Sequence, residues 1–457
     1  MKKNKVSKTY LKVFFNLFII FLLLIMLFTR SFAGLQYKGL LIGQGVVLFS
    51  LLLCFVVIFV FEKLNISHYV DKKTRNIYLF IVISFFANSI FSDSNFTDPY
   101  TFKTSSYIWT ISLLFFSVYL FTYVDFNPQF FWIFIPVPFL MYLFSTGYYP
   151  DFIINFFKEY SDKFQFLKAS DIMISTISTN LFIYNLLHKK IYRFLYLVVT
   201  VSLILPLLLY MSRGSFVALF VYLIYETYYS KDFILNNKLK TLLILVFGVL
   251  IFLGSLIFVD YLYVNEETKS LKYNEIILNP STVITGSVSE LALKNETRTV
   301  FLSFYIHYGR LESRDPTTNW RLDIWQDILF DLVEENRVLT GYGYKEILPQ
   351  MTDPTAPGRL GRDGLNENVH SYFVNIIARG GILQLIGIFY FFYSIINKYY
   401  VENKNYKIIS FILPVLFCSS LDISMEGVQF PLVFYIALGY FITNQKSELE
   451  HINSQEL

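Results

Sequence analysis

The chain has 457 residues, 55% of them apolar and 16% charged; soluble domains carry roughly 25% charged residues, so this balance excludes an ordinary water-soluble globule. The net charge of +4 comes from dispersed Lys and Arg, with no basic stripe and no reader motif, which excludes a nucleic-acid partner. Both cysteines, Cys54 and Cys418, sit in apolar stretches, so neither a disulfide framework nor a Cys-based metal site is implied.

Apolar runs recur along the whole chain, many long enough to cross about 30 Å of hydrocarbon. Strand alternation of the outer-membrane barrel type is absent. The sequence therefore predicts an all-α polytopic membrane protein with twelve transmembrane helices. Their spans fall at 11–29, 40–61, 76–92, 107–124, 130–146, 170–187, 191–211, 214–230, 239–259, 370–397, 407–420 and 426–443. The first, VFFNLFIIFLLLIMLF, lacks a small-residue cleavage site and reads as a signal anchor. The sixth, SDIMISTISTNLFIYNLL, is rich in Ser and Thr, which predicts an interior helix hydrogen-bonded to its neighbours.

Lys and Arg bias sets the expected orientation. With the N-terminus MKKNKVSKTYLK inside, the inner segments hold most of the short-loop Lys and Arg, and both termini are cytoplasmic. The expected division is transmembrane helices in 1–259, one large extracytoplasmic loop in 260–369, transmembrane helices in 370–443 and a cytoplasmic tail in 444–457. Acidic residues outnumber basic ones in the large loop. Within it, WRLDIWQDILFDLVEE repeats Trp320, Ile324, Ile328 and Leu332 at helical spacing, and a Pro/Gly-rich stretch, TDPTAPGRLGRDG, follows. With few apolar runs, this segment is expected to form a small lobe packed on the membrane body. No internal repeat is visible.

Three charged elements fall on the same expected outer side. MSRGSF, at 211–216, interrupts nearly forty apolar residues with Arg213. An arginine at a helix centre costs roughly 2.5–3.5 kcal/mol on insertion scales, so the interruption needs a reason. NWRLDIW carries Arg321 in the large loop, and NENVHSYFVNIIARGG carries His370 where the chain re-enters the membrane. A guanidinium offers a planar fork suited to phosphate oxygens, and an imidazole exchanges a proton near neutral pH. Each residue also has a plainer reading. Arg213 can be an interfacial anchor that snorkels to the headgroups. Arg321 can pair with Asp323 or Asp327. His370 can simply begin a helix. Arg379, on roughly the opposite helical face from His370, is a functional candidate or a partner of Asp422 or Glu426. Trp320 and Trp325 serve core packing or stack on sugars.

The order of these elements is more informative than any one of them. SRGS at 212–215, RLDIW at 321–325, GYGY at 341–344 and NVHSYFVNIIARGGILQLIG at 368–387 follow one another across one large loop. The arrangement resembles the O-antigen ligase family and the related Wzy-type O-antigen polymerases, over about residues 170–400. Ser371 and Arg379 depart from residues that many members carry at those places. The resemblance implies a GT-C-like membrane fold in a bacterial cytoplasmic membrane, with the active site on the periplasmic or outer face. It implies transfer of a glycan from undecaprenyl diphosphate to a glycan acceptor such as lipid A–core, with no cofactor and no metal. Arg213 and Arg321 would then bind the diphosphate, and His370 would be the catalytic base. The alternatives are a Wzy-type polymerase and, outside enzymes, a transporter of lipid-linked oligosaccharide.

Overall fold

A computed structural model describes residues 9–162, 167–267, 304–356, 359–360 and 367–455. The first eight residues, residues 268–303 of the large loop and much of its RLGRDG stretch lie outside these. All twelve expected spans fall on helical segments. The helices in chain order are α1 (Thr9–Ala33), α2 (Ile42–Leu64), α3 (Lys72–Phe91), α4 (Pro99–Thr104), α5 (Ser106–Trp109), α6 (Ser112–Tyr123), α7 (Val137–Ser145) and α8 (Asp151–Tyr160). They continue with α9 (Ala169–Tyr184), α10 (Lys190–Met211), α11 (Arg213–Tyr229), α12 (Lys231–Asn236), α13 (Lys238–Glu267), α14 (Pro316–Glu334), α15 (Tyr372–Asn403), α16 (Ile409–Ser420) and α17 (Gln429–Gln455). The protein is an all-α polytopic membrane protein. Among the described residues, eight helices are long and apolar enough to cross a bilayer by length and composition.

Polar residues mark many helix starts. Asp71 accepts from the Thr74 amide at 2.8 Å ahead of α3, and Asp98 and Asp315 each cap a helix whose first residue is proline. Such caps satisfy amides that have no partner inside the helix, and proline at the first position has no amide to lose. The sixth expected span is interior, as its Ser and Thr content predicts: every residue of α9 from Ala169 to Ile183 is buried. Asn180 reaches Thr200 of α10 at 3.2 Å. α17 is the other central helix, buried from Gln429 to Thr443 and packed against α6 and α9.

A small lobe stands on one end of this bundle. A two-stranded hairpin, β1 (Phe304–His307) with β2 (Arg310–Ser313), leads into α14. The predicted stripe forms its core: Ile324, Ile328 and Leu332 are buried with Leu348, Met351 and Val369. Three residues of α15, Val374, Ile377 and Ala378, complete that core, so the lobe is docked on the bundle as expected. Full burial of each isoleucine stabilises the lobe by roughly 1.5–3 kcal/mol.

α15 is broken where it passes from lobe to bundle. Gly381 has φ 70°, which only glycine adopts freely, and an added Cβ there would meet the Leu339 carbonyl at 2.1 Å. The GYGY turn repairs the broken ladder. The Tyr342 amide donates to Ala378 O at 2.7 Å, the Gly343 amide donates to Arg379 O at 2.9 Å, and Ile382 donates to Val338 O at 2.8 Å. Beneath the turn, the Tyr344 and Tyr107 hydroxyls meet at 2.8 Å, and the Tyr107 hydroxyl donates to Gln384 Oε1 at 2.7 Å.

Candidate functional site

The segment between α16 and α17, residues 421–428, gathers the candidate residues. Arg321, on the second turn of α14, donates from Nη1 to Leu421 O at 3.0 Å. The side chain of Leu421 covers Gly214: a Cβ at 214 would stand 3.2 Å from Leu421 Cδ1. Next along α11, Ser215 Oγ lies 3.4 Å from Cys418 Sγ. One leucine therefore ties the SRGS element to the RLDIW helix. Glycine at 214 permits that approach, since a Cβ there would crowd the Leu421 side chain.

Arg213 is the first residue of α11 and is half-buried, preceded by Ser212, whose side chain caps the Ser215 amide at 3.4 Å. His370 precedes α15 by two residues and has φ 55°, an uncommon conformation for a residue with a Cβ. Its neighbours hold it there. Trp325 Nε1 donates to Val369 O at 2.6 Å, Ser371 caps the Val374 amide at 3.4 Å, and the His370 ring meets Trp320 edge-on at 5.2 Å. Trp320 and Trp325 thus both pack in the lobe and brace the histidine.

Asp422 anchors the other side. Ser170 Oγ donates to its Oδ2 at 2.7 Å, and the Ile423 amide donates to its Oδ1 at 2.8 Å. The N-termini of α9, α11 and α15 all meet this segment, each bringing the positive end of a helix dipole. Around Asp422 the charges crowd. Burial lowers the pKa of His370, and the Arg321 guanidinium lowers it further against an opposing pull from Asp422. Burial pushes Asp422 up, but Lys168, the Ser170 and Ile423 hydrogen bonds and Arg321 hold it below the usual carboxylate range. Burial raises Glu426 to about 8, with Asp422 adding to the rise and Arg379 opposing it. Lys168 is lowered to about 8 by burial and then by Arg30. At neutral pH the imidazole is neutral, Glu426 is largely protonated and Lys168 remains largely charged.

The structure brings His370 and Arg321 together with Asp422, and brings the backbone at Arg213 to the same segment. It separates Arg379. That side chain is buried and turns to the GYGY loop, donating to Glu346 O at 3.2 Å, Gly343 O at 3.4 Å and the Tyr100 hydroxyl at 3.4 Å. Its hydrogen bonds are structural, although Glu426 feels its charge. Asp323 and Asp327 pair with Arg310 and Arg359. Sequence reasoning missed Arg30, Lys168, Ser170 and Asp171, and took Asp422 only as a partner for Arg379. One signal was present: Arg30, like Arg213, is a lone arginine at the end of an apolar stretch.

Residues 197–391 match the family model described as O-antigen ligase. That stretch contains Arg213, Arg321 and His370 and ends inside α15. No curated protein matches the chain.

Proposed function

Because residues 197–391 belong to the O-antigen ligase family, whose members are ligases and polymerases of surface polysaccharide, we propose that the chain is a glycosyltransferase. It moves a glycan from undecaprenyl diphosphate to a sugar hydroxyl of an acceptor such as lipid A–core. The reaction takes place at the outer face of a bacterial cytoplasmic membrane, with the 260–369 loop outside and both termini inside. The observation that carries this reading is the junction at Leu421 and Asp422, where Arg321, His370 and three helix N-termini converge.

Arg213 and Arg321 bind the diphosphate. Charge develops on that group as the bond from the anomeric carbon to the diphosphate oxygen breaks, and fixed cations stabilise it without reorganising. The helix N-termini add oriented amides of the same sign. The acceptor hydroxyl oxygen forms the new bond to the anomeric carbon. Its proton passes to His370, and undecaprenyl diphosphate leaves with the electron pair of the broken bond. A neutral imidazole is the form that can take that proton, and burial beside Arg321 keeps His370 neutral. The arriving diphosphate offsets Arg321 and makes the imidazole more basic when the substrate is in place. The charge in the MSRGSF element thus has a headgroup as its partner.

The polymerase is the second reading within the family, and a transporter is the reading outside it. Transporters place their charges near the midplane between related halves. The charges here gather at one end of the bundle, beside the lobe, which supports an enzyme acting at a membrane surface.

Deleting the gene and resolving the cell's glycolipids on a gel tests the reading. Loss of polymer from the lipid acceptor, with polymer accumulating on undecaprenyl diphosphate, is the result expected of a ligase. An acceptor carrying a single repeat unit would make the protein a polymerase. Lipid-linked sugars held only on the cytoplasmic side would overturn the enzyme reading.

A further inference from the structure

The end of the bundle opposite the lobe holds polar groups that have no part in the mechanism above. From Ser170, which holds Asp422, to Tyr184, α9 rises about 20 Å at 1.5 Å per residue. There a cavity of about 130 Å³ opens among α9, α10, α11 and α12. It has room for several waters or for one small polar headgroup. Asn180 and Tyr184 line it from α9, Lys190 and Arg193 from the start of α10, and Tyr222 and Glu226 from α11. A smaller cavity shares Asn180, Tyr184, Tyr222 and Glu226 and adds Lys407.

Two groups in this cavity are buried and incompletely bonded. Glu226 is 7% exposed, and Ser410 Oγ donates to its Oε1 at 2.7 Å. Tyr222, one turn earlier, is 2% exposed. Among the described residues, neither Glu226 Oε2 nor the Tyr222 hydroxyl has a hydrogen-bond partner. An acidic group buried near the end of a span is costly unless a donor meets it. The cations nearby are held by geometry. Arg193 Nε donates to Leu187 O at 2.7 Å, and Arg193 Cζ and Lys407 Nζ stand 4.0 Å and 4.1 Å from the centre of the Tyr184 ring. A simple anion here would face Glu226, and a simple cation would face Lys190, Arg193 and Lys407. A ligand that carries both charges satisfies both sets. The cavity also lies at headgroup depth. Exposed Tyr192 and Tyr228 have Lys189 and Lys231 over their rings at 5.8 Å and 5.1 Å, the aromatic and basic residues of a membrane interface. Leu239, Leu242 and Leu243, on the first turns of α13 where it packs on α10 and α12, are exposed as a surface for acyl chains.

We propose that this cavity binds a phosphate carrying a primary ammonium, the headgroup of an ethanolamine phospholipid from the leaflet opposite the lobe. The ammonium donates to Glu226 and meets the Tyr222 hydroxyl, the phosphate lies with Lys190 and Arg193, and the acyl chains leave along α10 and α13. Occupancy ties α9, α10, α11 and α12 together at that end, so binding raises thermal stability. The site stands apart from the reaction at the junction, and either can fail without the other.

The test uses the purified full chain in nanodiscs of phosphatidylcholine, whose quaternary nitrogen has no N–H to donate, with phosphatidylethanolamine or phosphatidylglycerol mixed in. Retained lipid is counted by native mass spectrometry, and unfolding is followed on heating. The parent is expected to retain phosphatidylethanolamine about tenfold over either other lipid and to melt higher with it. Glu226→Gln keeps the side-chain volume and an acceptor for Ser410 but loses the charge that the ammonium meets, so the preference disappears. If that variant fails to insert, Tyr222→Phe, which removes only the hydroxyl, carries the same direction of change. Equal retention of the three lipids by the parent, or a preference untouched in both variants, overturns the site. Phosphatidylglycerol retained as well as phosphatidylethanolamine overturns the ammonium contact and the ethanolamine assignment with it. Equal protection by soluble phosphoethanolamine in phosphatidylcholine discs overturns the lipid as the source.

Discussion

Arg321 and Asp323 stand two residues apart on α14, yet they belong to charged regions built on opposite plans. On the lobe side, Arg310 meets Asp323 and Asp327 at 2.7 Å each, and Arg359 bridges the same two carboxylates. Two cations close on two anions. At the junction with the bundle, Arg30, Lys168 and Arg321 crowd around Asp171, Asp422, Glu426 and a neutral His370. There, cations press on cations, and the titrating groups move far from their ordinary ranges. The first region neutralises itself and holds a shape. The second gathers titratable groups with shifted pKa values in a buried place, which is the pattern of a functional site.

The strongest test of this contrast is His370→Ala. Loss of a positioned base lowers transfer by about 10²- to 10⁴-fold, measured with lipid-linked donor in proteoliposomes. Membrane insertion should be unchanged, and a fully active variant would end the assignment. Arg321→Lys comes next, with kcat/KM reduced roughly 10²-fold. A lysine keeps the charge but cannot hold Leu421 O while presenting a fork to phosphate.

Arg359→Met probes the other region and should separate stability from activity. Removing one partner of a fully buried pair costs about 3–5 kcal/mol; with Asp323 50% exposed, about 2 kcal/mol is expected here. Thermal unfolding would show that loss, while activity per folded molecule holds. If transfer falls as far as in Arg321→Lys, the two regions are not distinct in role.

Acidity sharpens the comparison with smaller effects. Because the His370 pKa is lowered, the imidazole is still neutral at about pH 6, and kcat/KM should not fall between about pH 7 and 6 as an ordinary histidine would make it. Glu426 has its pKa raised in the folded state, to about 8. Its contribution to stability is full below its ordinary value and is lost as pH rises through about 8. The melting temperature of Glu426→Gln should therefore gain on the parent from about pH 6 to about pH 9. Lys168, lowered to about 8, acts in the opposite sense, gaining as pH rises toward its ordinary value, so the difference between the two chains is the informative quantity. The smallest effect belongs to Arg310→Ala, a partly exposed pair worth no more than about 1 kcal/mol.

The spans and the lobe helix were legible because hydropathy and helical period are local properties of sequence. The Ser/Thr-rich α9 and the Ile324, Ile328, Leu332 stripe show this directly. The motif order likewise pointed to Arg213, Arg321 and His370; in the structure Arg321 bonds Leu421 O, the Leu421 side chain covers Gly214 next to Arg213, and His370 meets Trp320 one residue before Arg321. The kink at Thr29 was hidden, because no glycine or proline marks it. That concealed Arg30, and sequence shows Lys168 only as one more loop lysine. The break in α15 had a signal in the Gly380–Gly381 pair, but its purpose lies in the distant GYGY turn that supplies the missing amides.

The sharing of α15 between lobe and bundle sets the order of assembly. Synthesis delivers α14 well before Val374, Ile377 and Ala378, so the emerging lobe lacks one wall of its core and waits for it. That wall is supplied by a helix continuous with a membrane span, and the GYGY turn can take its bonds only from the chain at the break. Placement of α15 therefore completes the lobe core, and His370 meets Asp422 only once α16 has brought the 421–428 segment back to it. A lobe produced alone would lack that wall, and the histidine acquires its surroundings only in a chain that has reached the bilayer.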